Sequence, residues 1–259
     1  MVKAVAAGTD TWGIRKGSLM LRQTYRASVL LSCASVLFLQ SAWSAPVKQN
    51  GLLMDVDSDY FGASTIQVSK DGIRIDSKKL GITIVSHAPE WSVVAFNEHS
   101  KSYYEATLEE WKKRVASRTG GRQNVKQDIK QTGKAKIKGQ EVKIYRWTDI
   151  RTRHGKKRGE PTITDLYAMQ SDLVPRQAAA VIASASDLPP DFGLPMKITR
   201  MLKSEPKPKT VLDTLKCSKG PIAKSVFFQP KGFKRVSSEV ALLMEGADDE
   251  MDSLMTDFK

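Results

Sequence analysis

The chain has 259 residues, 41% of them apolar and 27% charged, the balance of a folded globular protein and not of a disordered or collagen-like one. Two cysteines exclude a disulfide-dense scaffold and a cysteine-built zinc or iron–sulfur centre. The formal net charge is +13, and where that charge sits matters more than its size.

The N-terminus decides the compartment. Residues 27–40 (ASVLLSCASVLFLQ) form an apolar run that is too short to span a bilayer comfortably and has the length of a signal-peptide core. Arg22 and Arg26 precede it, and Ala42 and Ser44 follow at signal-peptidase spacing, so cleavage is expected after Ser44 or Ala45, with Met20 as the natural start. Residues 1–45 therefore read as an N-terminal extension with a cleaved leader, and 46–259 as one periplasmic or secreted domain. Cys33 follows Leu30-Leu31-Ser32, a poor lipobox inside a run that continues to Phe38, which argues against a lipid anchor. The leader region holds five basic residues and one acid; taking these from the totals of 41 and 28 leaves 36 and 27, net +9. Cys217 is then the only cysteine of the mature chain, which excludes an internal disulfide.

Period-two patterning dominates the mature chain. Residues 51–56 open a strand, and 64–69 and 72–76 flank Lys70-Asp71-Gly72, a hairpin signal. Strands are expected at 81–86 and 91–96 around a corner broken by Pro89, and at 102–105 after the turn 97–101. Thr107 and Glu110 make a capping box, with Leu108, Trp111 and Val115 on one helical face and Gly120-Gly121 as the stop. Residues 125–137 alternate again. The odd positions are mildly apolar, and Lys126, Lys130, Lys134, Lys136 and then Lys138 line the even face. Gly139-Gln140 is the expected turn into 141–150, and 151–160, with Arg151, Arg153, Lys156, Lys157 and Arg158, reads as a mobile basic loop. Further strands are expected at 164–170, 177–183, 195–201, 210–217 and 225–236, with a spacer at 203–209. Val240, Leu243, Ala247, Met251, Leu254 and Phe258 then recur at helical spacing. The chain shows no internal repeat and no break in composition that marks a second domain.

The order of these elements suggests a family. The hairpin around Gly133–Trp147, the segment Tyr167-Ala168-Met169, Gly193-Leu194-Pro195 before a strand, and above all Phe227-Phe228-Gln229-Pro230-Lys231-Gly232-Phe233 resemble exported bacterial proteins of the LolA/LolB-like lipoprotein-carrier superfamily. The resemblance covers roughly residues 51–240. It implies an α+β, mainly β fold, in which a curved antiparallel sheet forms an incomplete β-barrel and a few helices cover its open side over an apolar cavity. An apolar or acylated ligand, a lipid or a lipoprotein's chains, is the partner that this likeness implies.

Catalytic signatures are nearly absent. His87, His99 and His154 lie far apart with no metal-binding spacing, and neither a nucleophile elbow nor a phosphate loop occurs. Ser204-Glu205-Pro206-Lys207 matches S-x-x-K in form, but Pro206 makes it a loop. Asp55, Asp57 and Asp59 alternate as in calcium loops but lack the glycine and closing glutamate of an EF-hand. Cys217, beside Lys216 and Lys219, would have a lowered pKa if exposed; the plainer reading is a small apolar residue at a strand end. No enzyme activity, metal or cofactor is expected.

Charge is the functional clue. Residues 111–160 carry 17 Lys or Arg against Asp128, Glu141, Asp149 and Glu160, while 238–259 carry seven acids against Lys259. The basic segment is either an inert solvated face or an anion-binding surface for lipid headgroups, an envelope polymer or the chain's own tail with Asp248, Asp249, Glu250 and Asp252; the external surface is favoured. Export, and aromatic residues that read as sheet or core, argue against nucleic acid. Two readings therefore stand: a binder of an apolar or acylated ligand, or an interaction module docking on anionic envelope surfaces through its lysine-rich hairpin. Expressed from Met20 in a Gram-negative host, the protein is expected in the periplasm with its N-terminus at Ala45 or Pro46. Cytosolic protein that keeps Met20 on N-terminal sequencing would overturn the compartment and reopen the nucleic-acid reading.

Overall fold

Alternation builds the first half of the chain. The computed structural model describes residues 48–117, 123–153, 156–157, 159–202 and 204–244, with the backbone alone at 116–117, 123–126, 151–153, 156–157 and 190. Residues 1–45, read as extension and leader, lie outside the described residues. Six strands run as an antiparallel meander: β1 (Lys48–Ser58), β2 (Ser64–Ser69), β3 (Gly72–Ser77), β4 (Ile82–His87), β5 (Val93–Asn97) and β6 (Ser102–Ala106). Leu52, Met54 and Val56 of β1 and Ile73 and Ile75 of β3 all turn inward at every second position. The β2–β3 hairpin turns on Lys70 and Asp71, because Ser69 pairs with Gly72. Gly72 is thus a strand residue, and its value lies elsewhere: a Cβ there would stand 2.7 Å from the ring of Phe227.

Helix α1 (Leu108–Ser117) forms as the capping box requires. The Thr107 amide donates to Glu110 Oε2 at 2.9 Å, and the Glu110 amide donates to Thr107 Oγ1 at 3.2 Å. Trp111 and Val115 are buried and Leu108 half-buried; the stop at Gly120-Gly121 lies outside the described residues. A second meander comes next, with β7 (Gln123–Ile137), β8 (Gln140–Arg153), the two-residue β9 (Lys156–Lys157), β10 (Thr162–Met169), helix α2 (Arg176–Ala185), β11 (Leu194–Leu202) and β12 (Lys209–Ala223). The basic segment 151–160 is therefore not all loop: β8 runs on to Arg153, and Thr152 and Arg153 pair with Lys157 and Lys156.

The last strand, the short β13 (Lys234–Arg235), runs parallel to β6. The sheet order is β13-β6-β5-β4-β3-β2-β1-β12-β11-β10-β8-β7, with β9 on β8. Its two ends, β13 and β7, do not pair, so the barrel stays open. Its curvature follows from one contact pattern: α2 touches both β4 and β11, although β3, β2, β1 and β12 lie between them in the sheet. A single helix reaches both only if the sheet curls around it. The fold is α+β and mainly β, a curved, incomplete antiparallel barrel with helices on its concave side.

Four expectations about elements fail here for physical reasons. Residues 177–183 are not a strand but most of α2; Ala178 to Ala183 are all buried, and a helix buried on every side shows no amphipathic period. Residues 225–236 are not a strand either: a 3-10 turn (Lys224–Phe227) leads to the brief β13, Pro230 and Gly232 falling in the bend between. The strand expected at 210–217 continues through Gly220-Pro221 to Ala223, because beyond Thr214 it pairs with β1 alone, and proline is tolerated where the other edge is free. In the helical stretch 239–244 the inward residue is Leu242, while Val240 is 60% exposed; Ala247, Met251, Leu254 and Phe258 lie outside the described residues. Gly193 keeps the place the motif gave it. Its φ is +96°, and a Cβ would lie 2.4 Å from the Met169 carbonyl oxygen.

Phe227 is 1% exposed and Phe228 52% exposed. Truncating Phe227 to Ala is expected to cost about 3–5 kcal/mol, whereas Phe228→Ala should stay within about 1 kcal/mol. Equal shifts of the two urea midpoints would show that this segment does not close the core.

Candidate functional site

The basic hairpin is built by β7 and β8 at the end of the sheet. Its turn is Lys138-Gly139, not Gly139-Gln140: both residues have positive φ (+48° and +78°), as a two-residue type I′ turn requires. Lys138 therefore belongs to the turn and not to a strand face. The single lysine face also breaks up. Against β8, the register of β7 slips between Gln127 and Lys130 and again between Gln131 and Gly133, and each bulge reverses which face a residue takes. Asp128, at φ +55°, sits in the first.

Register places each lysine. Lys126 pairs with Asp149, Lys130 with Arg146, Lys134 with Lys143, and Lys136 with Glu141. Strand β8 pairs with β10 without a break from Lys143 to Asp149, so 143, 145, 147 and 149 share one face and 146 takes the other. By register Lys134 and Lys136 thus take one face of β8 and Lys130 the other, and at the turn end the exposed Lys134 and Lys136 alternate with the half-buried Gly133, Ala135 and Ile137, of which Ala135 and Ile137 pack against the core. Lys134, Lys136 and Lys138 gather at the turn end, where the hairpin has run past its β10 partner. Arg151, Arg153, Lys156 and Lys157 gather at the other end, on the order of 45 Å away at the usual rise per residue. Arg158 lies outside the described residues. Instead of one patch there are two basic ends.

Lys130, Lys134, Lys136 and Lys138 are exposed, and among the described residues none of them forms an ion pair. Arg146 is different. It grips Asp165 with two hydrogen bonds of 2.6 and 2.8 Å, which holds its pKa above the ordinary value and neutralises its charge locally.

The residues weighed for catalysis do not converge. His87 packs on Phe228 at 4.3 Å between ring centroids, and the amide of His99 is held by Asn97 Oδ1 in a turn; His154 lies outside the described residues. Asp55 and Asp59 face Lys216 at 3.5 Å and Lys209 at 2.7 Å. No group of three potential metal ligands occurs among the described residues. Ser204 donates to Glu160, so its hydroxyl faces no base of the S-x-x-K type. Burial pushes the Cys217 thiol above its ordinary pKa, outweighing the pull of Lys219, so the lowered pKa is not realised.

Clefts open on the surface at two places among the described residues. One of about 440 Å³ lies where β10 gives way to α2, lined by Met169, Val174, Ala179 and Gly193 with Arg176 and Asp191. The other, about 310 Å³, is polar, with Asp76, Thr83, Asn97, Glu98 and His99. Sequence reading missed a different feature. On the concave face Asp149, 5% exposed, accepts a 2.5 Å hydrogen bond from Thr164, and Thr162, Trp147 and Arg200 neighbour that pair by register. Polar residues at alternate positions of β10 were the available signal, but alternation alone reads as an outward face.

No family model matches this chain, and no curated protein does. A solved structure of an uncharacterized conserved protein from Thermus thermophilus aligns over 79% of this chain and 98% of its own, at 9% identity and a TM-score of 0.30; a likeness this slight carries no argument about fold or function.

Proposed function

We propose that this chain is an exported, non-enzymatic envelope protein that binds an apolar or acylated ligand on the concave face of its open barrel, beneath α2. The observation that carries this reading is the nature of the cover. Four of the six residues buried in α2 are alanines, which together contribute about 3 kcal/mol of burial where four leucines would contribute about 6–12 kcal/mol. The helix has no side-chain N-cap. Trp111 Nε1 donates to the Val181 carbonyl at 3.4 Å, and Arg200 Nη2 donates to the Ser186 carbonyl at 2.8 Å. A lightly held helix against β4 and β11 is a cover that an acyl chain can displace, and the resemblance to lipoprotein carriers points the same way. Native mass spectrometry of protein purified from the periplasm is expected to show a bound lipid mass that delipidation removes, and the stripped protein should take up a fluorescent fatty acid saturably at one per chain. No bound mass and no saturable uptake would end this reading.

A second reading has its own observation, the exposed lysines that form no ion pair among the described residues. On it the hairpin docks on anionic lipid or envelope polymer. Binding to anionic vesicles should fall as salt rises, since unpaired surface charges act over a Debye length of about 8 Å at physiological ionic strength. The triple variant Lys130→Gln, Lys134→Gln, Lys136→Gln should bind more weakly with an unchanged melting temperature. Binding that survives both salt and substitution sinks the idea, and a large loss of stability would point to the chain's acidic tail as the partner.

A further inference from the structure

Buried polar atoms are normally hydrogen-bonded, so a group of them left unpaired on one patch signals a partner that the chain does not itself supply. Trp147 Nε1, Asp149 Oδ1, Thr162 Oγ1 and Arg200 Nε are buried and have no hydrogen-bond partner. They stand on three adjacent strands. Asp149 pairs with Thr162 and Trp147 with Thr164 across β8 and β10, and Thr164 pairs with Arg200 across β10 and β11. Direct cross-strand partners share a face, with Cβ atoms about 5 Å apart, and residues two apart along a strand share it at about 7 Å. The four atoms therefore belong to two rungs of the concave face.

The surroundings of those rungs are graded along the strands. One step inward on the same face are Tyr145, Leu166 and Ile198, all buried in the core. Apolar, then hydrogen-bonding is the order of an acyl chain and the hydroxylated linker that carries it. The middle rungs need a partner that both accepts and donates, because Trp147 and Arg200 offer N–H groups while Asp149 Oδ1 accepts. A hydroxyl does both; an apolar chain does neither.

We propose that this patch receives the hydroxyl-bearing glycerol head of an acylated amphiphile, with its acyl chain directed toward Leu166 and Ile198. The assignment rests on the carrier reading above and adds the headgroup class to it. Arg200 serves twice, since its Nη2 ties down the end of α2 at Ser186 while its buried Nε has no hydrogen-bond partner. Lifting the helix and receiving the headgroup thus involve the same guanidinium.

The test uses calorimetric titration of the delipidated protein with palmitoyl lysophosphatidylglycerol and, separately, with palmitic acid, which has the same chain without the glycerol. Tighter binding of the lysophospholipid is expected. Thr162→Val and Trp147→Phe should each weaken it about three- to tenfold, the range for losing one hydrogen bond, and leave palmitate affinity unchanged. Thr162→Val exchanges a hydroxyl for a methyl of similar size, and Trp147→Phe is an independent probe should either variant fold poorly. Equal affinity for the two ligands, unmoved by the substitutions, overturns the headgroup site while leaving the carrier reading in place; buried water then satisfies the patch. Failure of both ligands to bind overturns both.

Discussion

A sheet that curls without closing leaves its concave face to be covered by something other than a strand, and the rest of this molecule depends on how α2 does it. The helix reaches both β4 and β11, so its girth sets how tightly the sheet can curl. Alanines at 178, 179, 180 and 183 keep that girth small and let backbone approach backbone. Trp111 and Trp147, both almost wholly buried, fill the volume that short side chains leave. Tight curvature of the sheet and short side chains on the helix it wraps are here one property.

Much of the fold was legible from residues alone. The meander β1 to β6 was visible because each strand alternates and each turn carries glycine, proline or an Asp/Asn. Thr107 and Glu110 announced α1 because capping is a local transaction between backbone amides and two side chains. What failed was whatever tertiary context decides. The apolar run of α2 has no period, so Ala and Ile there point equally to a buried strand. Alternation along a strand would bury at least one of Phe227 and Phe228; Phe227 is the buried one, but a 3-10 turn under Gly72 puts it there and not strand alternation.

The candidate site was legible as charge and illegible as geometry. Nothing in the residues of β7 marks the two bulges; Asp128 tolerates a positive φ, as aspartate does, yet many such residues never adopt one. Each inserted residue moves the next side chains to the other face, so Lys130 takes the face opposite Lys134 and Lys136, while the alternation of exposed lysines with half-buried small and apolar residues holds from Gly133 to Lys138. The patch around Asp149 was hidden for the converse reason. Thr162 and Thr164 sit at alternate positions like any solvent-facing pair, and only their cross-strand partners show them facing inward.

Those two features bear on one another through energetics. A ligand that occupies the concave face must offset the contacts that α2 gives up, so its affinity falls by whatever displacing the helix costs. A cover of leucines would demand a ligand that buries a comparably large surface and would then release it slowly. On the carrier reading the four alanines account for about 3 kcal/mol of side-chain burial, and Val181 and Ile182 for about 3–6 kcal/mol more. An acyl chain would offset that with roughly ten buried methylenes at about 0.8 kcal/mol each. Hydrophobic burial of this kind would admit ligands without choosing among them. Selection has to come from groups that bond directionally, and on the concave face the unpaired atoms of Trp147, Asp149, Thr162 and Arg200 are such groups. A buried, half-satisfied polar patch beside the core costs stability; on the carrier reading, a headgroup that completes its hydrogen bonds would recover that cost only when bound, so that selectivity would come from this patch and not from the apolar cover.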